Sequence, residues 1–202
     1  MPQYRRKIFG MDLIRGSLIQ RETLFVSRIE SCPIPEGALL ARYCQAGAFA
    51  DCYRADIPGK ITQAEYVAAF YTTPLFKVER MILATVLSRP STDAQATQLA
   101  EGALDTFAAW HVEARAADQL LMCDYQRRTR SWFMAAPMAD ERGAHTRLYF
   151  GSGVVPSRNP KTGTTSLGPL FRALLGFHKI YSRALLHSAQ VRLEKVCVPP
   201  CA

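Results

Sequence analysis

The stretch Phe107–Ser157 constrains the fold most, because polar and apolar residues alternate there in four runs separated by polar turns. Alternation with a period of two is typical of half-buried strands, so the stretch predicts an antiparallel meander. The runs are Phe107–Arg115, Leu120–Tyr125, Arg130–Ala136 and Thr146–Val155. Behind them, the residues from Leu170 to Lys195 carry apolar side chains at helical spacing. We therefore expect one long C-terminal helix to cover the apolar face of this sheet.

Short turns predict which side chains of the meander share a face. A turn at Ala116–Gln119 pairs Val112 with Cys123, and a turn at Gln126–Thr129 pairs Trp132 with Cys123. The loop before Thr146 is too long to fix register, so the last strand is phased by its pattern. The predicted inner face comprises Trp110, Val112, Cys123, Trp132, Met134, Leu148 and Phe150, covered by Leu174, Phe177, Tyr181 and Leu185. On this phasing, the polar groups that point inward are Tyr125, Arg130 and Ser152.

The residues before the meander predict one strand followed by helices. The strand covers Ala48–Ile57 and ends at Pro58. The predicted helices are Gln63–Tyr71, opened by a Thr62/Glu65 capping box, Pro74–Leu87, and a short helix from about Asp93 to Gly102. The charged residues of the second helix, Lys77, Glu79 and Arg80, are expected to face water.

Length and composition indicate one globular domain. The chain has 202 residues, of which 49% are hydrophobic and 21% are charged. We expect residues 1–31 to be an N-terminal extension of unclear structure, 32–196 the domain and 197–202 a tail. No apolar run is long enough to span a bilayer, and residues 1–15 do not resemble a signal peptide, which predicts a cytoplasmic location. The six cysteines do not form paired CxxC spacings and are expected to be reduced thiols.

The net charge of +8 favours acidic partners, which include nucleic acid, anionic lipid and carboxylate ligands. The arginines and lysines are scattered rather than contiguous, so most of them are expected to lie on solvated faces. Nucleic acid is therefore not the expected partner. The composition does not predict an oligomeric state.

Three segments carry a resemblance to a known superfamily: Ala50–Pro58 (ADCYRADIP), Thr129–Trp132 (TRSW) and Leu148–Val155 (LYFGSGVV). With the order strand, two or three helices, meander and long helix, the chain resembles the START and polyketide-cyclase superfamily. More closely, it is similar to a bacterial family of unknown function within it. The resemblance covers about residues 45–195 and implies an α+β helix-grip fold, in which a curved antiparallel sheet wraps the C-terminal helix around a cavity for a hydrophobic ligand. It implies no catalytic residues.

Motifs for chemistry are sparse in this sequence. Gly151–Ser152–Gly153 lacks the five-residue pattern of a nucleophile elbow, and its glycines are expected to allow a bend or close packing. The four histidines show no metal-binding spacing, so we expect no metal and no cofactor. His178 borders the inner stripe of the last helix and is expected to reach the cavity or to be a hydrogen-bonded core residue. Whether the protein is an enzyme stays open.

The sequence therefore predicts a site for a small, mainly apolar molecule that bears an acidic or carbonyl group, with the protein acting as carrier, sensor or cyclase-like enzyme. Arg130 either anchors this group or forms a buried pair with Asp51. The candidate ligand-binding residues are Trp110, Tyr125, Arg130, Trp132, Met134, Phe150, Ser152, Phe177, His178 and Tyr181. The alternative function is a basic module for nucleic acid or an anionic membrane surface, with Arg127, Arg128 and Arg130 beside Tyr125 and Trp132.

Overall fold

The computed structural model describes residues 28–141, 143–158, 165–166 and 169–197. Within these ranges the chain is α+β, with a seven-stranded, curved, open antiparallel sheet in the order β1-β2-β7-β6-β5-β4-β3. The strands of this sheet are β1 Glu30–Ser31, β2 Phe49–Pro58, β3 Thr106–Phe107, β4 Trp110–Ala116, β5 Gln119–Asp124, β6 Thr129–Asp140 and β7 Gly143–Val154. The helices are α1 Ala41–Gln45, α2 Gln63–Tyr71, α3 Pro74–Val86, α4 Asp93–Ala100 and α5 Pro169–Cys197. A second, two-stranded sheet pairs β8 Ser157–Arg158 with β9 Thr165–Ser166.

Threonine caps begin helices α2, α3 and α4, and the sequence predicts the first of these caps. The Thr62 side chain accepts a hydrogen bond from the backbone N–H of Glu65, and the Glu65 carboxylate accepts one from the backbone N–H of Thr62 at 2.7 Å. Thr92 and Gln95 form the same reciprocal box at the start of α4. These bonds satisfy backbone donors that have no partner within the helix. None of the described helices is both long and apolar enough to cross a membrane.

The sheet buries both of its faces. Its inner face, which contacts α2 and α5, carries Leu120, Met122, Phe133, Ala135, Leu148 and Phe150. Its outer face carries Cys52, Leu121 and Trp132, which pack against Ala38 and Leu40. These two residues belong to a segment that we call the N-terminal cover, Cys32–Tyr43. The sequence does not predict that this segment closes over the sheet.

Gly151 allows the N-terminal cover to approach the outer face closely. A Cβ atom at this position would lie 2.8 Å from Cδ2 of Leu40 and 2.8 Å from Cε3 of Trp132, which is closer than carbon atoms approach. The expectation that this glycine serves close packing is confirmed.

The predicted phase of the meander is correct for part of the inner face and wrong for the rest. A bulge between Val112 and Ala114 places Val112 opposite Met122 instead of Cys123. Trp110, Val112, Leu148 and Phe150 therefore lie on the inner face, whereas Cys123, Trp132 and Met134 lie on the outer face. The long loop expected before Thr146 is also absent from the described chain, because β6 and β7 continue as a hairpin until Asp140 faces Gly143.

Helix α3 turns Glu79 and Arg80 toward the interior, whereas Lys77 is exposed as the sequence predicts. Arg80 is only 8% exposed, and its guanidinium donates to Asp93 Oδ1 at 2.6 Å and to the backbone oxygen of Ser91. Glu79 accepts a hydrogen bond from Tyr181 of α5. The prediction that Glu79 and Arg80 face water is therefore wrong, because both find partners inside the fold. The apolar residues left exposed on α3 are Val78, Met81, Ile82 and Val86.

Candidate functional site

A cavity of about 220 Å³ lies between the inner face of the sheet and helices α3 and α5. One part of its wall is aromatic and is formed by Phe70, Tyr71, Phe76, Trp110 and Phe150. The other part carries hydrogen-bonding groups from Glu79, Thr129, Ser131, Ser152, His178, Tyr181 and Ser182. A pocket that combines an aromatic wall with convergent polar groups is typical of small-molecule sites.

Strand register and helix periodicity bring the polar groups together. Asp51 of β2 faces Ser152 of β7, and Ser152 in turn faces Ser131 of β6. Small polar side chains thus form a row across three neighbouring strands at one end of the inner face. On α5, His178 lies three residues from Tyr181, which places both side chains on the helix face that looks toward this row.

Ser152 and His178 form the central polar contact of the cavity. The Ser152 Oγ lies 3.0 Å from Nε2 of His178, and Ser152 is only 4% exposed. Asp51 Oδ1 lies 3.8 Å from the same Nε2. In a catalytic Ser–His–Asp relay, one ring nitrogen of the histidine contacts the serine hydroxyl, and the other ring nitrogen contacts the carboxylate. The described contacts place both groups on Nε2, so this trio lacks the relay arrangement.

Asp51 contributes a buried acceptor beside this contact. Its Oδ2 accepts a hydrogen bond from the Tyr53 hydroxyl at 3.2 Å, whereas Oδ1 is buried and has no hydrogen-bond partner among the described residues. Burial and the adjacent Asp51 carboxylate raise the pKa of Tyr53 to about 12, so its phenol stays a donor at neutral pH.

Glu79 and Tyr181 form a second polar contact, in which the Tyr181 hydroxyl donates to Glu79 Oε2. Burial raises the pKa of Glu79, although the hydrogen bond from Tyr181 opposes this shift. Burial and the nearby Glu79 carboxylate also raise the pKa of Tyr181. The protonated form of Glu79 is therefore favoured in the folded state relative to the unfolded chain.

We expect Glu79→Gln to stabilise the protein above neutral pH and to leave its stability unchanged near pH 4. A carboxyl whose folded-state pKa is raised stabilises the fold below its unfolded pKa of about 4.3 and loses that contribution as pH rises through the folded value. Glutamine does not ionise and still accepts from Tyr181, so the gain at high pH is on the order of 1 kcal/mol. Urea unfolding between pH 4 and 9 measures it, with exposed Glu101→Gln as the matched control. Equal stability of the Glu79→Gln variant and the parent at every pH would contradict a raised folded-state pKa of Glu79.

The structure brings half of the sequence-predicted site residues to the cavity. Trp110, Phe150, Ser152, His178 and Tyr181 all line it. Trp132 and Met134 belong to the outer face instead. Tyr125 and Phe177 are 43% and 65% exposed and do not line the cavity. The side chains of Leu170 and Leu174, which the predicted stripe of α5 includes, lie outside the described residues.

Arg130 is neither a cavity anchor nor the partner of Asp51, so both sequence-based interpretations are wrong. Its Nε donates to Glu113 Oε2 at 2.7 Å and to the Tyr43 hydroxyl at 3.0 Å, on the outer side of the sheet. Its Nη1 donates to the backbone oxygen of Arg127 at 2.7 Å. Burial alone would raise the pKa of Glu113, but the Tyr43 hydrogen bond and the charges of Arg130 and Arg42 hold this pKa below its usual range.

Several cavity residues are missed by the sequence analysis. Ser131 is missed because the sequence predicts Trp132 on the inner face, and adjacent strand residues such as Ser131 then point to the outer face. Glu79 is missed because a charged residue on a helix is usually exposed, and only knowledge of Tyr181 opposite it would have indicated burial. Phe70 and Tyr71 lie in the predicted helix Gln63–Tyr71, but their place in a cavity wall has no signal in the sequence.

The described residues contain no cluster of three or more potential metal ligands. No protein-family model, curated protein or solved structure matches the chain. The assignment of a function therefore depends on the geometry of the cavity.

Proposed function

We propose that the protein binds a small, mainly apolar molecule with a carbonyl or acidic group in the cavity between the inner face and α5. The observation that carries this proposal is the aromatic wall facing the Ser152–His178 pair. The proposal includes a helix-grip fold, supported by the pairing of β2 with β7 and by α5, which contacts both of these strands. A plain core would bring apolar side chains into contact here rather than leave a space edged by hydroxyls and an imidazole.

The cavity volume limits the ligand to a compact molecule. Apolar cavities of about 150 Å³ accept a benzene molecule. The cavity of about 220 Å³ therefore has room for one ring with a short substituent. Aromatic walls on several sides favour a flat ligand, since offset and edge-on ring contacts are both favourable.

The polar end of the cavity favours a carbonyl over a carboxylate. With the proton on Nε2, the His178 ring donates to Ser152 Oγ, and the single hydroxyl hydrogen of Ser152 is then free to donate to a ligand carbonyl oxygen. Arg130, the cation expected to neutralise an acidic ligand, is bound to Glu113 on the other side of the sheet. The carboxyl group of Glu79 borders the cavity and, when ionised, repels a second anion.

Three probes of similar size separate these cases: acetophenone, ethylbenzene and benzoate. We expect acetophenone to bind about 2- to 12-fold more tightly than ethylbenzene, which corresponds to one hydrogen bond worth about 0.5–1.5 kcal/mol. Benzoate should bind at least about tenfold more weakly than acetophenone at neutral pH, because its charge would be buried without a cation. Titration calorimetry measures the three dissociation constants.

Ser152→Ala should remove the advantage of acetophenone over ethylbenzene without abolishing the binding of either. Ser31→Ala, the same chemical change at an exposed edge strand, is the matched control and should leave all three affinities unchanged. Failure of both neutral probes to bind the parent protein at millimolar concentration would contradict the proposal. Tighter binding of benzoate would assign an acidic ligand in place of a carbonyl compound.

The alternative function as a basic interaction module stays a prediction with less support. Arg127 and Arg128 are exposed in the turn before β6. However, Trp132 is fully buried, and the guanidinium of Arg89 lies 5.2 Å from the ring centre of Tyr125. These two aromatic side chains therefore do not offer the open stacking surface that single-stranded nucleic acid binding requires.

A further inference from the structure

Two cysteine thiols meet where the N-terminal cover joins the edge of the sheet. The Sγ atoms of Cys32 and Cys52 lie 3.4 Å apart, and the backbone N–H of Cys32 donates to the oxygen of Cys52 at 3.0 Å. The register of β1 on β2, in which Ser31 faces Tyr53, continues to this pair. Residues directly opposite in antiparallel strands have Cα atoms about 4.5–5.5 Å apart, a separation that disulfides also span.

We propose that Cys32 and Cys52 are a modification site that closes to a reversible disulfide when the protein meets a hydroperoxide. Both cysteines are free thiols in the structure. The sulfur atoms must approach by roughly 1.4 Å to reach bonding distance, which side-chain rotation supplies because the backbones already have a suitable separation. The sequence predicts reduced thiols, and the structure adds that two of them are positioned to react with each other.

The two thiols differ in exposure and in acidity. Cys32 is partly exposed at a cleft of about 650 Å³ that Lys179 and Arg183 also line, whereas Cys52 is only 2% exposed. The hydrogen bond between the two thiols lowers the pKa of Cys32, and the charges of Arg54 and Arg147 add to this against the effect of burial. The same contact and burial raise the pKa of Cys52. Cys32 is therefore the attacking thiolate and Cys52 the resolving thiol.

The hydroperoxide oxidises the two thiols in two steps. The Cys32 sulfur attacks one oxygen of the hydroperoxide, so that an S–O bond forms, the O–O bond breaks, and the leaving oxygen departs as an alcohol or as water after taking a proton. The Cys52 sulfur then attacks the Cys32 sulfur, an S–S bond forms, the S–O bond breaks, and water leaves. Two thiols lose two electrons in total, and these electrons reduce one hydroperoxide.

The disulfide would tie the N-terminal cover to the sheet. Cys32 begins the cover and Cys52 lies in β2, so the bond closes a loop that contains Ala38 and Leu40, the residues packed on Trp132. Cross-linking restricts the unfolded chain and stabilises the fold when the native geometry accepts the bond. We therefore expect the oxidised protein to unfold at a higher urea concentration than the reduced protein.

The test treats the full chain with hydrogen peroxide and maps its disulfides by mass spectrometry after digestion without reductant. We expect a mass loss of two hydrogens per chain, a Cys32–Cys52 linked peptide, and complete reversal by dithiothreitol. Cys32→Ser should abolish the link. Cys44→Ser is the matched control, because Cys44 borders the same cleft and its Sγ has no thiol partner among the described contacts.

A Cys32–Cys52 link that forms in the parent and in Cys44→Ser, with a raised urea midpoint, supports the proposal. Oxidation that stops at Cys32 sulfinic acid, or that links either cysteine to a different one, overturns it. An unchanged or lower urea midpoint of the linked protein would refute the stabilising role of the bond. None of these outcomes depends on binding of a ligand in the cavity.

Discussion

Replacing Trp132 with alanine is expected to lower the free energy of unfolding by about 3–5 kcal/mol, the usual effect of removing a large core aromatic. Trp132 is fully buried between the outer face and the N-terminal cover, where it contacts the Leu40 and Leu121 side chains. Its indole N–H also donates to Gln119 Oε1 at 2.8 Å. The variant loses both this packing and this hydrogen bond, and urea unfolding followed by circular dichroism measures the change.

Tyr125→Ala is the control for this prediction, because Tyr125 is 43% exposed and its removal should change the stability by no more than about 0.5 kcal/mol. The folded fraction of the Trp132→Ala variant should bind acetophenone as tightly as the parent, since Trp132 and the cavity lie on opposite faces of the sheet. A stable variant that has lost probe binding would place Trp132 on the inner face and contradict the fold described above.

Arg130→Met is expected to destabilise the protein by about 2–3 kcal/mol at neutral pH and to leave probe binding unchanged. Removing one partner of a buried ion pair costs about 3–5 kcal/mol. The loss is smaller here because the Glu113 side chain is 19% exposed and keeps Arg42 and Tyr43 as partners. Urea unfolding at pH 7 measures the difference between variant and parent.

The pH dependence of this loss identifies the partner of Arg130. The folded-state pKa of Glu113 is lowered, so its pairing contributes stability above the unfolded pKa of about 4.3 and loses it as pH falls through the folded value. The difference between variant and parent should therefore shrink below about pH 4. Arg128→Met, an exposed change two residues away, should have little effect at any pH. A loss that does not change with pH would exclude Glu113 as the partner.

The sequence predicts the elements of this fold well, because their signals are local. The caps of α2 and α4 depend on side chains three residues apart, and the period of the meander depends on alternating residues. Strands β4 to β7 and helix α5 lie where these patterns indicate. Their exact ends differ from the predicted ones, because the ends of an element depend on its pairing and packing.

Assigning the faces of the sheet needs information that is not local. Trp132 and Phe133 are both fully buried, so alternation between them carries no information about which one meets the helices. The bulge between Val112 and Ala114 shifts the phase of β4 from the one that the turn at Ala116–Gln119 predicts. The N-terminal cover, whose packing buries Trp132, has no periodic pattern of its own. Because of these effects, the sequence predicts Arg130 on the inner face of the sheet, whereas it lies on the outer face.

Part of the site was predictable because it depends on positions that the bulge does not affect. Ser152 lies in β7, whose alternation correctly predicts its position on the inner face. The positions of His178 and Tyr181 on the cavity side of α5 follow from the helical period. Glu79 and Ser131 were not predictable, because each depends on a partner or a register that only the three-dimensional structure shows.

The location of bound acetophenone tests the proposed binding site most directly, and nuclear Overhauser effects between the probe and the labelled protein measure it. We expect contacts from the probe ring to Phe70 and Phe150 and from its acetyl methyl group to the side chains around Ser152 and His178. Contacts confined to Val78, Ile82 and the rest of the exposed apolar face of α3 would show surface adsorption instead, and would contradict a binding site between the sheet and α5.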